Sequence, residues 1–594
     1  MLPIVRRVLG FSRAMLLGSV VALVALTGTV SGCADENDPQ THIDKLDDPV
    51  TRTSAVTRLI QFYEDAMTKD KKNREGENVK PLLDKIVEPL AKVAAGGDLD
   101  KRAQGKLLSF LADTRDKRAA SALVAALEAY KPDDKRPDQF DSDMGDVVRA
   151  CGMMKLDEAK KPLLELFIRL QASWPKASYK QFYLVLHDAL LELNDKSWES
   201  RLVAQLNRPI NSLKDIKNLK NEVYWQTTSA KLLGNQKSAA AVVPLIKVVL
   251  SPLKADVAKT AVSALIKIGK PAIDEAVKLL NGEAKELEKY SEDENLKSVK
   301  DRGGKIDKNA KKAAEVAHIG AAAIIVGTIG RKEGIAPMLQ AIEKGNDLSK
   351  AIIARELPKL PASPEVTEAF KKVYSESSLT LTIPPGFPAR EALLEAAGTF
   401  FDASLAPWLI EEALGLKGEE ADTAPIQDAT LAVTMKLAKE EHIELLEKLA
   451  AVQVTYPQKT TIGKAYKKEL DMTKKVLKAC SGKGVECWMA KLVETESQQK
   501  QTQFQGIKAA YMIGVLGDDK VRPKIVEQLP LVTNAAVRFV AVSVLDRLSP
   551  KGDKEMATKL QAIVDANVKS RDKSKIQADA PLKTIIHRLE ARAQ

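Results

Sequence analysis

Apolar residues recur along the chain with the period of an α-helix, most clearly around prolines. Pro81, Pro244 and Pro337 have apolar residues at the same four offsets: Val79, Leu82, Leu83, Ile86; Val242, Leu245, Ile246, Val249; Ile335, Met338, Leu339, Ile342. These offsets place the four side chains on one helix face. Each proline falls in the first turn, where its missing N–H is not needed. The pattern predicts three amphipathic helices built on one template.

A second apolar-striped helix precedes several of these and ends at a glycine, as at Gly234, Gly330 and Gly517. Glycine closes a helix because it adopts the left-handed conformation without a Cβ clash. The clearest complete unit runs from Asp256 to Glu283, where Gly269 begins a turn between two apolar stripes. We therefore predict a series of helical hairpins.

The hairpins recur at a regular interval. Pro81, Pro162 and Pro244 lie 81 and 82 residues apart, about twice a 40-residue repeat. These units resemble HEAT repeats of the armadillo-like α-solenoid class, over roughly residues 48 to 570. The resemblance implies an all-α superhelix of about 12 or 13 stacked hairpins, whose inner helices bind a partner. An irregular helical bundle is the alternative.

Composition agrees with an all-α fold. The 594 residues contain only 5% aromatic but 29% charged residues, which suits long solvent-exposed helices better than a sheet-rich enzyme. Outside one short segment, the sequence has no run of alternating β-branched residues.

The N-terminus has the three-part layout of an export signal. Arg6, Arg7 and Arg13 are followed by an uncharged run from Ala14 to Val30, and then by small residues before Cys33. The four residues ending at Cys33 resemble a bacterial lipoprotein signal. The resemblance implies cleavage after residue 32 and acylation of Cys33, and two or three acyl chains anchor stably. A transmembrane anchor, or a signal cleaved elsewhere, is the alternative.

Residue 34 is Ala. In the lipoproteins that this chain resembles, an Asp at that position is the usual inner-membrane retention signal. We therefore expect the bacterial cell envelope, with the outer membrane favoured over the inner one and either periplasmic or surface display. The polar, acidic stretch 33–47 is predicted to be a flexible tether.

Two interruptions divide the predicted repeats. The N-terminal set, 48–374, contains a hydrophilic insertion at 285–312 with nine basic and seven acidic residues. We interpret it as a solvated helix or loop, with a partner-contacting lobe as the alternative. The proline-rich segment 375–388 cannot be helical throughout and is predicted to link two rigid halves. The C-terminal repeats, 389–570, are followed by a capping helix at 571–594.

Cys480 and Cys487 bracket a glycine-containing turn between two helical stretches. A disulfide across this loop fits an oxidising compartment, and two reduced thiols are the alternative. Two cysteines alone lack the further ligands that zinc requires. Cys151 lies in an apolar run and is predicted to be a buried core thiol.

The sequence predicts no catalytic residue, no cofactor and no metal. It contains neither a nucleophile elbow nor a phosphate-binding glycine loop. The five histidines are scattered, without the spacing of a metal site: His42, His187, His318, His442 and His587. An enzyme of unrecognised type remains a minority hypothesis.

The formal net charge of +11 would fall to about +8 on loss of the signal, which is a mild bias for a chain of this size. Nucleic acid is not an expected partner, because aromatic stacking platforms are missing. We expect a membrane-anchored, non-catalytic scaffold or adaptor that binds a protein partner. Binding of an anionic envelope polysaccharide or peptidoglycan is the alternative.

Overall fold

The computed structural model describes residues 35–131, 142–170, 177–383, 386–454, 460–493, 500–570 and 573–594. The predicted export signal and Cys33 lie outside the described residues. Within them, the chain is helical apart from one small two-stranded hairpin, so the all-α prediction is confirmed. The described residues form two compact units, one up to residue 122 and the other from residue 123 to residue 594.

The first unit contains four described helices: α1 Pro39–Asp44, α2 Arg52–Lys69, α3 Val79–Gly96 and α4 Lys101–Thr114. Helix α1 differs from the flexible tether predicted for 33–47. The Asp38 carboxylate caps it by accepting a hydrogen bond from the Gln40 N–H. His42 and Leu46 are buried, so this short segment is held by packing as well as by its cap.

Helix α5, Ala120–Ala129, begins at the end of the first unit. The α-helices of the second unit are α6 Ser142–Met153, α7 Lys160–Arg169, α8 Ala177–Leu193, α9 Glu199–Leu206, α10 Ile216–Asn235, α11 Val242–Leu250, α12 Ala255–Ile268, α13 Lys270–Leu280, α14 Lys285–Asp301, α15 Lys308–Ile329, α16 Ile335–Lys344, α17 Asp347–Glu356, α18 Pro364–Glu376, α19 Ala389–Gly398, α20 Leu405–Leu414, α21 Glu420–Leu437, α22 Ile443–Val454, α23 Thr460–Ala479, α24 Gly484–Val493, α25 Lys500–Leu516, α26 Arg522–Gln528, α27 Ala535–Arg547, α28 Lys554–Lys569, α29 Lys573–Ala578 and α30 Ala580–Arg592.

Short 3₁₀ helices lead into or out of many of these helices: Lys117–Ala119, Asp157–Ala159, Lys196–Trp198, Ala239–Ala241, Pro252–Lys254, Lys332–Gly334, Leu357–Lys359, Glu440–His442, Asp519–Val521 and Leu529–Leu531. The strands β1 Thr382–Ile383 and β2 Phe387–Pro388 pair antiparallel.

The proline template predicts three helix starts correctly. Helices α3, α11 and α16 each begin two residues before the proline. The apolar positions at their centre are fully or nearly fully buried, as at Ile86, Leu245 and Met338. A proline in the first turn is therefore compatible with an otherwise regular helix.

Glycines have two different roles at the helix ends. Gly269 and Gly330 have φ angles of 80° and 70°, and each follows the end of a helix, as predicted. The same prediction is wrong for Gly234, which lies inside α10. A Cβ there would come within 2.8 Å of the Ala264 Cα, so this glycine permits close helix packing. Gly517 follows α25 without a positive φ.

The hydrophilic insertion 285–312 contains α14 and the start of α15. Most of α14 is polar, but Leu287, Ser291 and Ser298 are buried, and the helix packs against α15 and α11. It is thus an amphipathic helix whose charged face is solvated.

In the part of the chain that the structure describes, the division into two compact units falls near residue 122 and not at the segment 375–388. Ile383 is fully buried in a cluster with Ile352 and Ala389. The Arg390 guanidinium donates to the Ser377 carbonyl at 2.8 Å. These contacts attach the hairpin to the surrounding helices.

Eight helices of the second unit form a closed circuit of contacts. Helix α12 packs on α15, which is followed in turn by α17, α19, α21, α25, α27 and α30. Helix α30 then packs back on α12 and α15. The segment 571–594, predicted as one capping helix, contains two helices, α29 and α30. Helix α30 closes the circuit. In an open stack, each repeat would contact only its neighbours.

Candidate binding site at the packing surface of the C-terminal helix

Two arginines of α30 and one aspartate of α27 form a buried ionic cluster. Arg588 and Arg592 lie one helical turn apart and pair with Asp546 at 3.0 and 3.1 Å. Burial alone would raise the pKa of Asp546, but the two guanidinium groups lower it. Burial also lowers the pKa of Arg588 to about 10. Asp546 and Arg588 are therefore both charged at neutral pH.

The same arginines bind the C-terminal end of α15. Arg588 Nη1 donates to the Thr328 carbonyl at 2.5 Å, and Arg592 Nε donates to the Ile329 carbonyl at 3.4 Å. The last carbonyls of a helix lack partners within it and favour nearby cations. A Cβ on Gly330 would lie 2.5 Å from Arg592 Nη2. Glycine is therefore needed at this junction.

A groove beside α30 is lined by lysines from three helices. We call it the lysine groove: Lys231 of α10, Lys259 and Lys267 of α12, and Lys583 and His587 of α30. Its volume is about 570 Å³. Among the described residues that line it, none is acidic. The groove therefore concentrates positive charge at the point where the circuit closes.

Two of these lysines have neutral polar partners. Lys231 Nζ donates to His187 Nε2 at 3.0 Å, and Lys267 Nζ donates to Asn235 Oδ1 at 2.6 Å. Burial lowers the pKa of each lysine; a carboxylate outside the lining opposes this shift, Asp188 for Lys231 and Glu590 for Lys267, and a neighbouring lysine adds to it. Their charges are thus only partly balanced by their surroundings.

The other ionisable side chains of the groove have fewer polar partners. In the described part of the chain, the ammonium groups of Lys259 and Lys583 have neither a hydrogen-bond partner nor an ion-pair partner. Burial and the neighbouring lysines lower the pKa of His587 to about 4, so its imidazole is neutral at pH 7. The nearest carboxylates lie outside the lining, as with Glu590, 3.8 Å from His587. An anion entering the groove would meet lysine ammonium groups that are free to bind it.

An adjoining cavity of about 520 Å³ lies on the other side of α30. We call it the seam cavity, and its wall includes Leu360, Phe401, Phe539, Val542, Arg547 and Ile585. It shares Lys259, Thr328 and Thr584 with the lysine groove. The two spaces therefore border the same stretch of α30.

Arg547 is a largely buried cation of the seam cavity without a carboxylate at ion-pair distance in the described chain, whereas Lys259, the other unpaired cation of the lining, is exposed. Its Nη1 donates to the Leu360 carbonyl at 3.0 Å. No acid of the described chain lies within ion-pair distance of it, and both oxygens of Asp546 already contact Arg588 and Arg592. Burial lowers the pKa of Arg547 to about 10, which leaves it charged at neutral pH.

The cysteines are far from this site in the sequence. Cys480 and Cys487 form a disulfide between α23 and α24, with Cα atoms 5.6 Å apart. Cys151 is fully buried in α6, and burial raises the pKa of its thiol to about 12. A thiol held in its neutral form is a poor nucleophile.

The histidines do not converge. Over the residues with described positions, no group of three or more His, Cys, Asp or Glu side chains is placed to hold a metal ion. His587 lines the lysine groove, whereas His187 contacts the groove only through Lys231. Sequence analysis missed the groove because its residues are spread from Lys231 to His587 and no local motif connects them.

One described helix, α15, is long and apolar enough to cross a membrane by length and composition alone. Half of its most apolar stretch is buried inside the protein, where it packs against α13, α14 and α17. These contacts are those of a core helix.

Comparison with known proteins does not identify a family. A scan against models of known protein families finds no match, and a search of curated proteins finds none. The functional argument therefore depends on the chemistry of the groove and the cavity.

Proposed function

We propose that this protein is a lipid-anchored, non-catalytic scaffold of the bacterial cell envelope that binds an acidic segment of a partner protein in the lysine groove. The observation that carries the proposal is the convergence of four lysines without an acidic lining residue in the described chain. Clefts lined by charge of one sign attract ligands of the opposite sign and accelerate their association.

The helices are proposed to pair into about 12 or 13 hairpins, each a HEAT-like repeat. Their spacing supports this assignment. The 3₁₀ helices that precede the second helix of a pair begin at Lys117, Asp157, Lys196 and Ala239, which matches a period of about 40 residues. Closure by α30 adds a feature that the repeat resemblance does not imply.

The anchor is proposed to be an acyl group on Cys33, and the outer membrane is the favoured location. The charged start, the uncharged run and the small residues before Cys33 support this proposal. Mass spectrometry of the mature N-terminal peptide from purified membranes should find an acylated Cys33. Cys33→Ser should release the protein from the membrane fraction. An unmodified mature terminus would contradict the anchor.

A protein partner is favoured over a polymer because the groove lysines come from three helices that hold them in fixed relative positions. The groove lies between α10, α12 and α30, which suits a few acidic side chains in a fixed order. An anionic polysaccharide or peptidoglycan is the second candidate, because the same unpaired lysines, Lys259 and Lys583, would attract its charges.

The test compares two double variants of the purified full chain. Lys259→Gln with Lys583→Gln removes the two unpaired groove lysines. Lys305→Gln with Lys551→Gln removes two exposed lysines elsewhere. Binding of a glutamate-rich peptide, measured by calorimetry at low ionic strength, should weaken at least tenfold in the groove variant and change little in the control. Added salt should weaken binding to the unchanged protein.

The two candidate ligands give different results in this assay. Binding of isolated envelope polymer, lost in the groove variant, together with no binding of the peptide, would favour the second candidate. Equal binding by both double variants would show that the lysine groove is not the site.

A further inference from the structure

We infer that the seam cavity is a binding site for a small amphipathic carboxylate, with its acyl chain in the cavity and its carboxylate on Arg547. This inference does not rest on the proposed function, because its ligand has a different chemistry and Arg547, its charged partner, does not line the lysine groove, although the two spaces share Lys259, Thr328 and Thr584. It depends on three features: the apolar wall, the unpaired guanidinium and an exposed phenylalanine.

The wall of the cavity is apolar along most of its surface. Leu360, Phe401 and Val542 are all less than a tenth exposed, so they are fixed by the packing behind them. Its volume of about 520 Å³ lies in the range of small-molecule sites, roughly 300–1,000 Å³. Such a space excludes a bulky polymer and accommodates an apolar chain.

Phe539 extends this wall toward solvent. Its side chain remains 55% exposed although it lines the cavity. Covering a large aromatic side chain with an apolar ligand is favourable by roughly 25 cal/mol for each Å² removed from water. The exposed ring is therefore a contact surface for an apolar chain.

The charged residues of the cavity indicate the chemistry of the polar end of the ligand. Of the described acids, only Asp546 lines the cavity, and its two oxygens are already bound by Arg588 and Arg592. Arg547 has one hydrogen bond, to the Leu360 carbonyl, and its other N–H groups are not sealed away from water. A guanidinium presents paired donors that match a carboxylate. Asp402 and Asp546 are near enough to raise the pKa of Arg547, but neither is at ion-pair distance in the described chain, so a ligand carboxylate would supply the direct partner that it lacks.

Decanoate is the probe for this site. The full chain carrying Cys33→Ser should be used, because that substitution removes any acyl group of the protein that would compete. Calorimetry should show decanoate binding at least tenfold more tightly than decanol. Decyltrimethylammonium, which has the same chain and the opposite charge, should bind no better than decanol. Acetate, which lacks the chain, should not bind.

Two variants separate the contributions of charge and chain. Arg547→Gln should remove the preference for decanoate over decanol while leaving decanol binding unchanged. A variant whose cavity is misfolded would bind neither decanoate nor decanol. Phe539→Asp should weaken decanoate at least tenfold, because it puts a carboxylate at the exposed edge of the cavity. Leu531→Asp, at a position 56% exposed and outside the cavity, is the matched control.

Four results would overturn the inference: no binding of decanoate, equal binding of decanoate and decyltrimethylammonium, unchanged decanoate affinity in both variants, or tighter binding of a short apolar peptide through its C-terminal carboxylate. Loss of glutamate-peptide binding in the single variant Lys583→Gln, whose side chain lines the lysine groove but not the seam cavity, with decanoate binding retained, would support two separate sites.

Discussion

The ring of Phe401 occupies the space that a side chain on Gly514 would need. A Cβ on Gly514 would lie 2.7 Å from Phe401 Cδ1. Phe401 has a φ of 51°, a conformation rarely adopted by bulky residues, and its ring packs against Tyr511 with centroids 5.2 Å apart. The glycine of α25 thus allows this phenylalanine to form part of the wall of the seam cavity.

Gly514→Ala should therefore destabilise the protein by about 1–3 kcal/mol, because the ring of Phe401 is buried and cannot move freely. Gly398→Ala is the matched control, since its Cβ would meet Tyr511 and Val433 only at ordinary contact distances of 3.6 and 3.7 Å. There, alanine should stabilise the helix by up to about 1 kcal/mol. Urea unfolding of both variants measures the difference, and a stabilised Gly514→Ala would contradict the packing.

Asp546→Asn should destabilise the protein by about 3–5 kcal/mol, because it leaves Arg588 and Arg592 buried without a counterion. The control is Glu555→Gln, which removes an ion pair with Lys559 whose partners are 80% and 60% exposed. Loss of this exposed pair should change the free energy of unfolding little. Denaturant unfolding measures both effects. Amide hydrogen exchange along α30 should also accelerate only in Asp546→Asn, and equal exchange in the two variants would argue against a seam held by this cluster.

Local structure is predictable where the signal lies within one helix pair. The unit from Asp256 to Glu283 is a helix, a turn at Gly269 with φ of 80° and a second helix, as its apolar spacing indicates. Val257 and Ile273, from the two predicted stripes, are both buried. In such a unit, helix propensity, apolar period and turn residue all indicate the same structure.

The closing contacts are not predictable in the same way. Arg588 and Thr328 are 260 residues apart in the chain, and no periodicity relates them. Lys508 shows the same limit. It is fully buried and donates to the Ala438 carbonyl at 2.6 Å, beyond the end of α21, yet it resembles any surface lysine in sequence. Long-range polar partners of this kind are set by tertiary packing, which pattern analysis does not reach.

Reduction of the Cys480–Cys487 disulfide should lower the free energy of unfolding by about 2 kcal/mol, because the bond closes a short loop in the unfolded chain. Thermal unfolding with and without reductant measures this change. The double variant Cys480→Ser with Cys487→Ser should unfold at the lower temperature in both conditions. If reductant lowered the unfolding temperature of that variant, the loss of stability would not come from this disulfide.

Mild acid should destabilise the second unit through two histidines. Burial lowers the pKa of both His187 and His587 to about 4, against about 6.5 in an unfolded chain. Between these values, the unfolded state binds more protons than the folded state, so unfolding becomes easier as the pH falls from about 6.5 to about 4. The expected loss is on the order of 1 kcal/mol per pH unit for each histidine.

Urea unfolding at about pH 7 and about pH 5 measures this loss. His187→Gln with His587→Gln should reduce the pH dependence, because glutamine does not titrate. Burial also lowers the pKa values of His318 and His442. These two histidines should contribute to the pH dependence that remains in the double variant. Gly514→Ala is the control for lowered stability alone, since it should unfold more easily at both pH values and keep the full pH dependence. An unchanged pH dependence in the histidine variant would show that these side chains are accessible to protons in the folded protein.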